Sequence, residues 1–456
     1  MNRRDWIRKS LCATAGSALF TSLAGKLQLA HAAAGTRRLE GGDYRALVCV
    51  FLYGGNDCFN MLVPRDTPHY NVYAQGRGAL AVPQANLIAL NSLNAASDGG
   101  LYGLHPAMPE LQNLFNSGRA AMIANTGPLL YPITKAQYVN GTVPAPAQLY
   151  SHSDQQVLWQ TPAAESSNRR GWGGRVADLF SDTNINQQLS MNISVAGENV
   201  FQSGNEVVPY FVSTEGAEGF YFVTQPWEQQ RRASFLALRD ASYNHPMQRQ
   251  YARVVRRAMD NEVMVNEALE AAPDLATPFP GHHLGQQLRM VARLISARNQ
   301  LQMQRQVFFV GIGGFDTHAA QLADHPGLLA QISSGMAAFY NATVEMGLQD
   351  SVTAFTSSEF GRTISINGDG TDHGWGAHQI VVGGSVNGQR YYGQFPDLTV
   401  EGPDDAGWGQ LIPTTSVDQF GATLARWYGL PDGDRPLVFP NIGRFATPDL
   451  GFMNPV

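Results

Sequence analysis

The chain has 456 residues, 44% of them apolar and 15% charged, with a net charge of −6. That composition supports a large buried core and excludes a disordered chain, and the acidic balance excludes a surface that seeks nucleic acid. Three cysteines are too few for a disulfide framework. Cys49 and Cys58, nine residues apart along an extended segment, lie too far from each other to pair unless the chain doubles back.

Met1–Ala32 reads as an export signal. Arg3 and Arg4 precede Trp6, Ile7, Arg8 and Lys9, a mildly apolar Ala- and Gly-rich stretch follows from Leu11 to Gly25, and Ala30-His31-Ala32 offers a small-x-small cleavage site. The pattern fits twin-arginine export; an ordinary secretory signal with a chance arginine pair is the alternative. Either reading puts the mature protein in the periplasm or outside the cell. The stretch is too short and polar for a stable anchor, so no transmembrane segment is expected in the mature chain. Removing these residues takes away five basic groups and Asp5 and leaves a net charge of −10. Twin-arginine export carries folded chains, which raises the expectation of a metal acquired before transport.

Ala46–Tyr53 is a continuous apolar run that predicts a strand buried on both faces, and it stops at Gly54-Gly55. Similar runs occur at Ala120–Ala124, Met191–Val195, Val307–Ile312, Val352–Thr356 and Gln379–Val382. Helical patterns lie between several of them, at Pro106–Asn116, Gly174–Phe180, Trp227–Leu269, His283–Gln304 and Pro326–Met346. The alternation predicts an α/β fold: a doubly wound, mostly parallel sheet with helices on both faces, in one domain over residues 40–450. Val386-Asn387-Gly388-Gln389 predicts a hairpin turn, and Ser416 with Gln419 predicts a capping box that opens a last helix ending near Tyr428-Gly429.

In such folds the functional groups sit on loops beyond the carboxyl ends of strands. The first such loop carries Asn56, Asp57 and Asn60; Asp57 suits a hard cation, or an Asx-stabilised turn. The second sets Asp316 and His318 two residues apart, on one side of an extended backbone, where they can chelate a metal. The third runs from Glu359 to His378. Glu359, Asp372, His373 and His378 offer oxygen and nitrogen donors without thiolate, suited to zinc, manganese, magnesium or calcium. Asp369 reads as a turn residue. Arg362 suits a phosphate or sulfate clamp, or an ion pair with Glu359. At Tyr150–Trp159 a helix begins, with Ser153 and Gln156 as a capping box and Ser151 as the freer hydroxyl.

The motifs FLYGGNDCFNMLVP, SHSDQQ, GGFDTHAAQ, SSEFGRT and GTDHGWGAH resemble, in this order and over nearly the whole mature chain, the bacterial family called domain of unknown function 1501. That family is similar to a distant branch of the alkaline phosphatase and sulfatase superfamily. The resemblance implies one or two divalent metals and a serine nucleophile, Ser151 or Ser153, acting on a small anionic ester. Asp57, Asp316, His318, Glu359, and His373 or His378 are the implied ligands, and Asp372 joins them from the donor set of the third loop. Arg362, Asn56, Asn60 and His152 are expected against the substrate. Two departures stand out: Glu359-Phe360 replaces the superfamily's Asp-His, and one residue rather than three separates Asp316 from His318. A non-catalytic protein that binds an envelope polymer is the competing expectation. The translocase is the partner expected during export.

Overall fold

The first strand, β1 (Arg45–Leu52), is buried along its whole length. Its alternate residues enter two separate cores: Ala46, Val48, Val50 and Leu52 face one, Leu47, Cys49 and Phe51 the other. A strand with two apolar faces needs a covered sheet on both sides. The computed structural model describes residues 44–162 and 169–454; the export signal lies outside them.

The other strands are β2 (Leu62–Pro64), β3 (Ile88–Ala89), β4 (Tyr102–Leu104), β5 (Ala120–Gly127), β6 (Asn192–Ser194), β7 (Tyr210–Phe211), β8 (Arg305–Ile312), β9 (Val352–Ser357), β10 (Arg362–Ile366), β11 (Thr371–His373), β12 (Ala377–Gly383), β13 (Arg390–Tyr392) and β14 (Thr415–Ser416). Nine of them form the central sheet in the order β13-β5-β12-β9-β1-β8-β6-β7, with β14 also on β5. Pairing is parallel except at β12, which is antiparallel to both β5 and β9. The mostly parallel sheet expected from the buried runs is therefore present.

Among helices of eight residues or more are α1 (Thr67–Arg77), α2 (Pro109–Asn116), α3 (His152–Gln160), α4 (Trp172–Phe180), α5 (Gln229–Asp240), α6 (Pro246–Ala271), α7 (His283–Ser296), α8 (Gln321–Glu345) and α9 (Val417–Tyr428). Leu111 and Phe115 of α2, Leu288 and Val291 of α7, and Ile332 and Met336 of α8 pack on one face. Trp159 of α3, Val176 of α4 and Phe420 and Leu424 of α9 pack on the other. Ser416 caps α9 through the expected box with Gln419, and Gly429 at φ 121° ends it.

Two local expectations change. The hairpin at Asn387-Gly388 does not form, because β5 lies between β12 and β13 and pairs with both. Helix α8 starts at Gln321 rather than Pro326: the Gln321 and Ala320 N–H groups donate to the Asp369 carbonyl and carboxylate, which fix the start earlier. Cys49 and Cys58 are both free and buried. Among the described residues no helix is long and apolar enough to cross a membrane.

Candidate metal centre

Strands β9, β1 and β8 are adjacent and parallel, so their carboxyl ends open side by side. Gly54-Gly55 follows β1, Asp316 follows β8 and Glu359 follows β9. These loops touch. The Gly54 N–H donates to Glu359 Oε1 at 2.9 Å, and the Asn56 N–H donates to Ser358 Oγ at 2.9 Å. Gly54 has φ 117°, and a Cβ there would lie 2.3 Å from the Asp316 backbone nitrogen, so the close approach requires glycine.

Three histidines converge on Asp316. His152 Nε2 is 3.4 Å from Asp316 Oδ2, while His318 Nε2 and His373 Nε2 are 3.1 and 3.2 Å from Asp316 Oδ1. The latter two nitrogens are 2.9 Å apart. Each ring is held at its other nitrogen by an oxygen: His152 Nδ1 by Glu359 Oε1 at 3.0 Å, His318 Nδ1 by Asp372 Oδ1 at 3.0 Å, and His373 Nδ1 by the Tyr150 carbonyl at 2.7 Å. An acceptor at Nδ1 fixes the tautomer and presents an Nε2 lone pair, the way proteins orient histidines around a metal. Tyr150, at φ 72°, turns its carbonyl to His373 immediately before α3 begins.

The surroundings set the charges. Burial works against the Asp316 carboxylate, but Arg362, 2.6 Å away, outweighs it and, with His318 and His152, holds the group below the usual carboxylate range. The hydrogen bond with Glu359 raises the His152 pKa, and burial lowers that of His373. Ligand atoms of His152, Asp316 and His373 lie within 4.8 Å of one another. The donor set, imidazole nitrogens and a carboxylate without thiolate, fits zinc or another divalent cation. Glu359 adds a second sign: it is 0% exposed and its Oε2 has no hydrogen-bond partner among the described residues.

The sequence matches, over residues 44–432, the family described as Protein of unknown function (DUF1501). The chain belongs to that family. A search of curated proteins finds no match. Solved structures similar to this DUF1501 chain include a protein in the alkaline phosphatase superfamily from Vibrio parahaemolyticus, 9% identical, covering 89% of this chain and 75% of the other at a TM-score of 0.32. A sulfatase from Pseudoalteromonas is 8% identical over 94% and 77% of the two chains, TM-score 0.34. A phosphonate monoester hydrolase from Silicibacter pomeroyi is 10% identical over 87% and 77%, TM-score 0.32.

Of the residues singled out in the sequence, Asp316, His318 and His373 come together in this family member, Asp372 stands behind His318, and Glu359 stands behind His152. His152, expected against substrate, faces the cluster as a nitrogen donor. Other expectations are corrected by burial and hydrogen bonding. Asp57 is fully buried; its carboxylate takes Arg77, Gln321 and the N–H groups of Phe59 and Asn60, capping the one-turn helix Cys58–Met61. His378 is buried between Phe59 and Phe395 and accepts the Asn125 N–H at Nδ1, 3.0 Å away. Asn56 and Asn60 are also interior: Asn56 Oδ1 meets His325 Nε2 at 3.0 Å, and Asn60 Oδ1 accepts from the Tyr73 hydroxyl at 2.8 Å.

Arg362 pairs with Asp316 rather than Glu359. Its remaining donors go to the Gly54 carbonyl and to Thr371, so it braces the Asp316 loop instead of clamping an anion. Ser151, not Ser153, is the N-cap residue of α3, and no capping box forms there. The Ser151 hydroxyl donates to Asp154 Oδ2 at 2.7 Å. Gln156, read as the box partner, donates instead to Glu359 Oε1 at 3.1 Å. His152 and Gln156 are four residues apart on one helix face, the spacing that points both at one carboxylate. Gln321, Arg77 and Tyr150 were missed altogether. Gln321 was findable as the end of GGFDTHAAQ, one helical start beyond the Asp316 loop; Arg77 and Tyr150 left no local signal.

Proposed function

We propose that this chain is an exported, divalent-metal-dependent hydrolase of phosphate or sulfate esters. One observation carries the reading: three histidines, each fixed at Nδ1 by an oxygen, aim Nε2 at a single carboxylate beyond adjacent parallel strands. The ester class rests on the motif resemblance. Asp316, His318, His373 and His152 would hold the cation; Arg362 keeps Asp316 in place and Glu359 keeps His152 turned toward it. A bound divalent cation supplies Lewis-acid polarisation of the ester oxygens. Ser151 starts a helix next to His152, where backbone N–H groups favour an anion. It is the candidate nucleophile, with Asp154 as the acceptor of its proton.

Metal analysis of the purified folded chain tests this directly. One or two equivalents of zinc, manganese, magnesium or calcium, lost in Asp316→Ala and His318→Ala, support it; metal content unchanged by both substitutions overturns it. Turnover of simple phosphate and sulfate esters, abolished in Ser151→Ala, tests the nucleophile. Export is tested by replacing Arg3 and Arg4 with lysine, which should leave precursor in the cytoplasm.

A second reading, a metal-holding protein that binds an envelope polymer without turnover, is favoured by Arg362, Asn56 and Asn60. All three direct their polar groups inward, leaving the anion without the contacts expected for it. A metal-replete chain inert toward every ester would establish that reading.

A further inference from the structure

Helix α8 opens on a fully buried side chain, Gln321, whose amide reaches three other segments. Its Nε2 donates to Asp57 Oδ2, in the loop after β1. Its Oε1 accepts two hydroxyls, from Thr317 at 3.2 Å and from Thr371 at 2.7 Å. Both threonines adjoin residues of the metal centre. Thr317 stands between Asp316 and His318, whose side chains are 45% and 44% exposed while Thr317 is 4% exposed, so this segment presents its two donors outward and its hydroxyl inward. Freeing that hydroxyl by a turn of the backbone would swing both donors at once. Thr371 opens β11 and shares one side of the strand with His373, two residues on. The Thr371 N–H also donates to the Thr317 carbonyl at 3.1 Å.

We propose that Gln321 is a positioning residue of the metal centre: its amide oxygen pins the Asp316–His318 segment to β11 and so fixes how Asp316, His318 and His373 face one another. The inference rests on the metal reading above. An amide suits the place because one end has to donate and the other to accept. Asp57 presents a carboxylate, already paired with Arg77, and a second carboxylate facing it in the interior would be repelled. Asp57 thus gives the amide its direction, but the hold on the metal-facing segments is the oxygen. A chain without the Asp57 carboxylate keeps a neutral amide that still accepts both hydroxyls.

The test is the zinc affinity of the full chain, by competition with a chromogenic chelator, together with the visible spectrum of the cobalt(II)-loaded protein, which follows donor geometry and not stability. Gln321→Met keeps the size of the side chain and removes its hydrogen bonds to Asp57, Thr317 and Thr371. It should bind zinc about tenfold more weakly, the lower end of what losing support behind a ligand costs, and shift the cobalt bands. Gln321→Glu should do the same. Asp57→Asn/Gln321→Glu should restore both readouts, because amide and carboxylate have exchanged places at unchanged net charge. Thr317→Val deletes one hydroxyl at nearly constant size; it should also weaken zinc binding, and it carries the test if the changes at position 321 do not fold. Zinc affinity and cobalt spectra equal to the parent's in every folded variant, with only the urea midpoint lowered, overturn the proposal and leave the metal reading standing. So does a Gln321→Glu defect that the exchange leaves unrepaired. A parent that takes up neither zinc nor cobalt overturns both.

Discussion

His152 and Glu359 are 207 residues apart in sequence, and His152 Nδ1 lies 3.0 Å from Glu359 Oε1. The contact joins the start of helix α3 to the loop after β9, so one carboxylate both ties two elements together and sets the direction of an imidazole. The same oxygen takes the Gly54 N–H and the Gln156 amide, which locks the pair against rotation.

Substituting Glu359→Gln should therefore weaken metal binding by about 10–100-fold, the usual effect of losing a carboxylate behind a ligating histidine. Folding should persist, because the amide oxygen still accepts from the surrounding donors. Competition with a chromogenic chelator measures the change; affinity equal to the parent's would show that Glu359 does not orient His152.

Gly54→Ala places a methyl 2.3 Å from the Asp316 nitrogen in a backbone conformation with φ 117°. A loss of about 1–3 kcal/mol in unfolding free energy is expected from the strain alone. Metal content should fall with it, since the loop that moves carries Asp316. Urea denaturation with parallel metal analysis separates this from a purely global effect.

Asp57→Ala should act on stability instead of on the metal. It removes the buried partner of Arg77 and leaves a guanidinium uncompensated, a change of about 3–5 kcal/mol. If the variant is recovered folded, its metal content should match the parent's; a selective loss of metal would return Asp57 to the ligand set.

Two interior histidines set an acid limit. Burial pushes the pKa of His378 down to about 3 and that of His325 down to about 4, so both are neutral in the folded chain. Unfolded, each titrates near the ordinary histidine value of about 6.5. The folded pKa is below the unfolded one, so the unfolded state takes up protons first. Stability is full above about pH 6.5 and falls with acidification by up to about 1.4 kcal/mol per pH unit per histidine, levelling off below the folded values. Urea midpoints between about pH 7.5 and 4 should show this slope, and His325→Asn should reduce it.

The strands were legible because parallel sheets bury both faces and leave continuous apolar runs such as ALVCVFLY. Asp316, His318 and His373 were legible from their places beyond those runs. Asp57, Asn56 and Asn60 misled because a Gly-rich polar loop after a strand reads alike whether its side chains face a crevice or the interior. Here Arg77 and Tyr73 of helix α1 draw Asp57 and Asn60 inward, and His325 of α8 draws Asn56. Gln156 misled for a related reason: its spacing from Ser153 suits a cap, but Glu359, far off in sequence, takes the amide. Tertiary partners decided both cases, and local pattern carries no record of them.

Strand β1 lies in the middle of the sheet between β8 and β9, which begin at Arg305 and Val352. Both of its neighbours reach the growing chain only after most of the sequence has been made. During synthesis the first strand emerges from the ribosome as an apolar ribbon with two open edges, and it stays so until its partners arrive. Contacts this distant in sequence form slowly and expose the chain to aggregation meanwhile. The sheet can close around residues 45–52 only once the strand beginning at Val352 has been made.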